Sequence, residues 1–148
     1  MKKSTNESTM KNFAMGIKPN GLPYTVFLID DSTTAREILK RILLSLKFKI
    51  LDEANNGEIA LTKLQGSKIK PDLIFIDMEM PLMDGIETIQ RIKPFIPDPK
   101  IIMVTSHGER DMVMELLKLG VKGYIKKPFD RDTILKKMAS ILGRPIED

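Results

Sequence analysis

Asp30 and Asp31, Asp77, Thr105 and Lys127 each follow a short run that reads as a β-strand. Val26-Phe27-Leu28-Ile29 precedes the first pair, Leu73-Ile74-Phe75-Ile76 precedes Asp77, Ile101-Ile102-Met103-Val104 precedes Thr105, and Gly123-Tyr124-Ile125-Lys126 precedes Lys127. The strand ends of an open parallel sheet converge on one crevice, so these five side chains are expected to meet there. Three carboxylates in one crevice repel one another unless a cation joins them, which points to a hard-metal site. Magnesium suits it, because it takes oxygen ligands in octahedral geometry, keeps waters, and prefers one or two carboxylates plus a phosphate oxygen. A carboxylate oxygen of Asp77 can then attack the phosphorus of an anionic donor. Lys127 offers a mobile positive charge, and Thr105 a hydroxyl donor, to the transferred oxygens. Such chemistry is positioning and charge neutralisation rather than acid–base catalysis.

Taken singly, these residues are ordinary. Two acids after a strand often only open a helix, a lysine before proline usually marks a surface turn, and a threonine ending a strand is usually structural. Asp77 alters the balance, because an acid buried at the end of a central strand is costly unless paired or metal-bound. Asp30 and Asp31 are the partners that neighbouring strand ends would supply.

The elements that must position this set are legible from Pro23 onward. Short β-branched runs alternate with longer segments of helical period, the pattern of β/α units around a parallel sheet. The strands are expected at Tyr24–Asp30, Phe48–Ala54, Asp72–Asp77, Ile101–Thr105 and Gly123–Lys126. The runs before Asp30, Asp77 and Thr105 are apolar on both faces, as central strands covered by helices must be. Ala35, Ile38, Leu39, Ile42, Leu43 and Leu46 form the apolar stripe of a first helix, capped within Ser32 to Thr34, with Thr34 and Glu37 at capping-box spacing. Gly57 to Gln65 and Asp84 to Lys93 read as the second and third helices, the latter stopped by Pro94. Met112, Val113, Leu116 and Leu117 mark a fourth, closed by Gly120, and Ile134, Leu135, Met138, Ile141 and Leu142 a fifth, ended by Gly143. The fold class is therefore α/β: a five-stranded parallel sheet with helices on both faces.

At 148 residues the chain is expected to be one domain with a full core. It has no cysteine, which excludes disulfides, thiolate nucleophiles and zinc-thiolate sites and is compatible with a reducing cytoplasm, and one histidine, which excludes a multi-histidine metal site. The amino terminus lacks the apolar run of a signal peptide, and no stretch approaches the roughly 18 apolar residues of a membrane span. Of the net charge of +4, residues 1–22 carry +3, from Lys2, Lys3, Lys11 and Lys18 against Glu7. The excess thus lies in a Ser/Thr/Asn/Lys-rich segment read as a flexible tail, which argues against nucleic-acid binding. Residues 23–143 are expected to fold and 144–148 to form a short second tail.

With these residues assembled, the chain resembles the receiver domain of bacterial two-component response regulators, especially the stand-alone, chemotaxis CheY-like kind. The likeness runs from about Tyr24 to Leu142 and rests on Asp30-Asp31, on Asp77 with Met80-Pro81-Leu82-Met83-Asp84-Gly85, on Thr105-Ser106 and on Lys126-Lys127-Pro128-Phe129. The resemblance implies a flavodoxin-like (βα)5 fold in which Asp77 is the phosphoacceptor. It implies a magnesium ion bound by Asp31, Asp77 and the backbone carbonyl of Glu79, with Asp30 acting through water. It further implies that Thr105 and Lys127 contact the phosphoryl group, that Tyr124 switches rotamer on activation, and that Lys127–Pro128 is cis. Glu79 and His107 fall where the family tunes the lifetime of the phosphoryl group. Leu119-Gly120-Val121 is bulkier than the usual stretch before the last strand.

The implied function is a signalling switch and not a conventional enzyme. A histidine kinase would donate the phosphoryl group, and a target protein would read the fourth helix, last strand and fifth helix, over which Lys118, Lys122, Lys126 and Arg131 are scattered. A homodimer is a further possible partner. With no effector domain expected after residue 143, the output would be another protein. The alternative is a receiver fold used as an adaptor or dimerisation module without phosphorylation, against which the complete set of acids, threonine and lysine argues. An FMN carrier of the same topology would have its phosphate repelled by Asp30-Asp31. A phosphatase of the haloacid dehalogenase kind needs an aspartate two residues after its nucleophile, where Glu79 stands.

Overall fold

The computed structural model describes residues 14–66, 68 and 70–146. Five parallel strands alternate with five helices: β1 Thr25–Ile29, α1 Thr33–Ser45, β2 Lys49–Ala54, α2 Gly57–Gly66, β3 Leu73–Asp77, α3 Gly85–Ile92, β4 Lys100–Thr105, α4 Arg110–Lys118, β5 Gly123–Lys126 and α5 Arg131–Leu142. A single 3-10 turn, Lys93–Phe95, follows α3 where Pro94 ends the helix. The strand order is β2-β1-β3-β4-β5, all parallel. The three runs read as apolar on both faces are the three interior strands, and the more polar β2 is an edge.

Alternation along the strands builds two cores. Val26, Leu28, Leu73, Phe75, Ile102 and Val104 face one side, where they pack with Leu39 and Leu43 of α1 and Ile134, Leu135 and Met138 of α5. Phe27, Ile29, Ile74, Ile76, Ile101 and Met103 face the other, against Ala60 and Leu64 of α2, Ile89 and Ile92 of α3 and Leu116 of α4. Period two in the strands and helices on both faces keep the middle of each interior strand apolar, so the side chains able to do chemistry fall at the carboxyl ends. Each large aliphatic or aromatic side chain so buried contributes about 1.5–3 kcal/mol. The chain reverses its winding between β1 and β3, and the crevice of such a sheet lies outside the carboxyl ends of those strands.

Helix starts come from short polar side chains. Ser32 caps α1 by accepting from the Ala35 amide at 3.1 Å, and Asp84 caps α3 by accepting from Glu87 at 2.9 Å. The cap is thus Ser32, and the Thr34–Glu37 spacing forms no capping box: Glu37 instead pairs with Lys40 at 2.9 Å.

Part of the segment expected to be a flexible tail packs against the fold. Residues 1–13 lie outside the described residues, but Ala14–Leu22 packs across the amino ends of β1, β2 and β3. Met15 is buried in the first core. The Gly16 amide donates to Leu46 O at 2.7 Å and the Tyr24 amide to Gly16 O at 2.7 Å. Lys18 pairs with Asp72 at 2.9 Å. Gly16 has no substitute, since a Cβ there would stand 2.3 Å from the Phe48 nitrogen. From the other terminus, Arg144 donates to the carbonyls of Ala14 and Met15 at 3.2 and 3.1 Å, and Ile146 packs against the core. Composition missed this contact because one buried methionine and one glycine carry it within a polar stretch.

Candidate functional site

Asp30 directly follows β1, β3 ends in Asp77 and β4 in Thr105, and the adjacency of these three strands brings the residues to one edge. Asp77 is 2% exposed, Asp30 6% and Thr105 0%, so an acid pair and a hydroxyl are buried at the margin of the apolar core. Asp31, one residue beyond Asp30, is exposed, and a carboxylate oxygen of each of Asp30, Asp31 and Asp77 lies within 4.8 Å of the others. Lys127, just after β5, reaches across with its ammonium 3.0 Å from Asp30 Oδ2 and 3.4 Å from Asp77 Oδ2. Its backbone amide donates to Thr105 O at 2.7 Å, and the Lys127–Pro128 peptide is cis.

The second oxygens of the acids are held by the backbone. Asp30 Oδ1 accepts from the Ser32 amide at 2.8 Å and Asp77 Oδ1 from the Glu79 amide at 3.2 Å. Gly85, at the first turn of α3, lets that helix press against β3, because a Cβ there would lie 2.7 Å from Asp77 O. Thr105 Oγ1 donates to Glu79 Oε1 at 2.8 Å and accepts from the His107 amide at 3.0 Å. Tyr124 sits apart from the acids, half-buried on β5 opposite Met103, with the Lys137 ammonium 4.9 Å from its ring centre.

The charge balance shows which kind of ligand the site suits. Burial, and then the neighbouring Asp30 carboxylate, push Asp77 up to about 7, against the pull of Lys127. Burial lowers Lys127, but its contacts with Asp30 and Asp77 outweigh that and leave it raised. One ammonium facing three carboxylates leaves the cluster net negative. The donor set therefore fits a small hard cation: carboxylate oxygens on an octahedral magnesium stand about 3 to 4 Å apart, a spacing this cluster can close to.

Two contributors were not legible beforehand. Arg36, on α1, donates to the Asp30 carbonyl and pairs with Glu53 of β2 at 2.7 Å, while Lys40 also bonds Glu53. The side chain of Glu79 engages the Ser106 amide as well as Thr105, at 3.3 Å. No spacing signal announces either, because each partner lies on another strand or loop.

The family described as the response regulator receiver domain matches residues 26–139. Chemotaxis protein CheY of Treponema pallidum is 36% identical over 127 residues, covering 86% of this chain and 88% of that protein. Chemotaxis protein CheY of Halobacterium salinarum is 38% identical over 117 residues, covering 79% and 95%. Among solved structures, CheY in the CheX-CheY-BeF3-Mg complex from Borrelia burgdorferi is similar with a TM-score of 0.82 at 33% identity, over 88% of this chain and 98% of that one.

Proposed function

Since the chain belongs to the response regulator receiver family, and is a signalling phosphoacceptor rather than a conventional enzyme, we propose that its acceptor is Asp77 and that the acid crevice takes magnesium. The supporting observation is the convergence of buried Asp77 and Asp30, exposed Asp31 and the Lys127 ammonium at one sheet edge. Asp31, Asp77 and the Glu79 carbonyl would hold the ion, with Asp30 acting through a bound water. Bound there, magnesium would supply the positive charge that offsets the carboxylates and the phosphoryl oxygens of the donor.

The residues then divide the work. An Asp77 carboxylate oxygen attacks phosphorus as the bond to the donor breaks, the bonding pair leaving with the donor's imidazole nitrogen, which takes up a proton. The product is an acyl phosphate on Asp77. Lys127 follows the charge from the carboxylates to the transferred oxygens, and Thr105 turns its hydroxyl toward another. The donor is a histidine kinase, and the protein works in the cytoplasm. Among the described residues no helix is long and apolar enough to cross a membrane.

The signal passes from Thr105 to Tyr124 and on to α4, β5 and α5, where new contacts to the phosphoryl group shift an equilibrium between two packings. Met114 and Leu117 are exposed on α4, as are Lys118 at its end, Lys122 beyond it and Lys126 on β5, while Arg131 of α5 donates to Ser45 of α1 at 3.1 Å; the exposed face suits a target protein, a CheX-like partner or a second copy of the chain. Intact mass after incubation with acetyl phosphate tests the reading. Magnesium-dependent gain of one phosphoryl group, absent in Asp77→Asn, supports it. No gain under any condition would leave an adaptor that is never phosphorylated.

A further inference from the structure

Glu79 does more in this fold than offer its backbone to the crevice. Its amide donates to the acceptor carboxylate, at 3.2 Å from Asp77 Oδ1, while its side chain turns to the next strand end. There Oε1 accepts from the Thr105 hydroxyl at 2.8 Å and from the Ser106 amide at 3.3 Å, and Oε2 lies 3.5 Å from the same amide. The hydroxyl is 0% exposed and is oriented from behind by the His107 amide at 3.0 Å, so its proton has one direction to go. A hydroxyl and an adjacent backbone amide, both donating to the two oxygens of one anion, form an anion site. In the resting molecule the anion in it is the protein's own.

We propose that the Glu79 carboxylate is a built-in competitor for the phosphoryl group: it occupies the Thr105–Ser106 donors until an incoming anion on Asp77 displaces it. The inference rests on the reading of Asp77 as acceptor and Thr105 as a phosphoryl contact. Its consequence is a threshold. Binding of any phosphoryl-like anion must break the Glu79 contacts before Thr105 can form its own, so the affinity of the site is lowered by the strength of the contact it replaces. The displaced carboxylate has room to move, being 40% exposed, and the His107 ring stands 3.7 Å from it. Release of Glu79 therefore frees the segment Ser106–Glu109 that leads into α4, which ties occupancy of the crevice to the surface that reads it.

Contact can be separated from simple charge repulsion by chain length. Glu79→Ala removes both the carboxylate and its charge, whereas Glu79→Asp keeps the charge one methylene short of the Thr105 hydroxyl. The measurement is calorimetric titration of the full chain with beryllofluoride at saturating magnesium. Alongside it, the amide resonances of Ser106 and His107 are recorded without ligand. The latch requires both variants to bind beryllofluoride more tightly than the wild type, by about tenfold or more, the worth of one charge-assisted hydrogen bond. It also requires both amides to shift in both variants. Glu79→Asp behaving as wild type would mean that charge alone acts, and overturns the latch, as does Glu79→Ala binding no more tightly. If wild type and variants alike fail to bind with magnesium, the phosphoacceptor reading falls and the latch with it. Wild-type binding with unchanged variants rejects the latch alone.

Discussion

A carboxylate that holds its proton more tightly in the folded than in the unfolded chain weakens the fold as pH rises, and Asp77 is such a group. Raised from its ordinary value of 3.8 to about 7, it binds more protons folded than unfolded between those limits. Its contribution is therefore fully present below about pH 4 and is lost as pH climbs through 7. Asp52, Glu53 and Asp72 are shifted the opposite way, so their contribution is lost only in acid below the ordinary carboxylate range. The window from pH 5 to 8 thus belongs to the acceptor. With chelator present, thermal melts should show the wild type losing stability across that window, while Asp77→Asn loses much less. At pH 8 the variant should be the more stable by on the order of 2 kcal/mol, or roughly 6 °C. A melting temperature for Asp77→Asn at or below wild type would show that Lys127 already compensates the buried charge. The burial of this residue beside Asp30 and Asp31 was legible in the sequence, because an acid after Leu73-Ile74-Phe75-Ile76 has few structural excuses. The second role of Glu79 was not, because its partner Thr105 lies 26 residues away and only the pairing of β3 with β4 brings the two loops together.

At the level of elements, four strand ends, those of β1, β3, β4 and β5, carry the candidate site, and the capped starts of α1 and α3 follow two of them. The strands were readable because β-branched apolar runs of period two have little other use, and their observed limits fall within a residue of expectation. The brace on the β1–α1 turn was not readable. Arg36 spans from the Asp30 carbonyl to Glu53, with its side chain 12% exposed, and Glu53 is shared with Lys40. Sequence offers only a charged residue on the first turns of a helix, where a solvated face is the ordinary outcome. Removing the guanidinium leaves the Asp30 carbonyl without that donor and frees the turn that aims Asp30 and Asp31. Arg36→Met should lower stability by about 1–2 kcal/mol, the value of a charge-assisted bond in a partly buried setting. It should also weaken magnesium binding several-fold in calorimetric titration. Lost stability with unchanged magnesium affinity would make Arg36 a structural brace without bearing on the site.

Across the whole molecule, chemistry and closure lie at opposite edges of one sheet. The acids gather at the carboxyl ends of β1 and β3, whereas Ala14–Leu22 seals the amino ends of β1 to β3 and is clasped by Arg144 from beyond α5. The likeness to receiver domains made the sheet and crevice legible but gave no reason to expect this seal, which depends on a side chain with 2% exposure in an otherwise polar segment. Met15→Ala empties a position in the core that α1, β1 and α5 also line, and cavities of that kind cost about 2–5 kcal/mol. Gly16→Ala forces a methyl group to within 2.3 Å of the Phe48 nitrogen, so backbone must move, at about 1–3 kcal/mol. Deletion of residues 1–22 should combine both losses and shift the urea midpoint accordingly. Because the sheet transmits no charge from one edge to the other, the folded fraction of each variant should still take a magnesium-dependent phosphoryl group at the wild-type rate. Urea titration and intact-mass time courses on the same samples decide it: a deletion that leaves the midpoint in place would return Ala14–Leu22 to the status of a tail. A deletion that slows phosphorylation of fully folded protein would instead show that the seal reaches through the strands to the crevice.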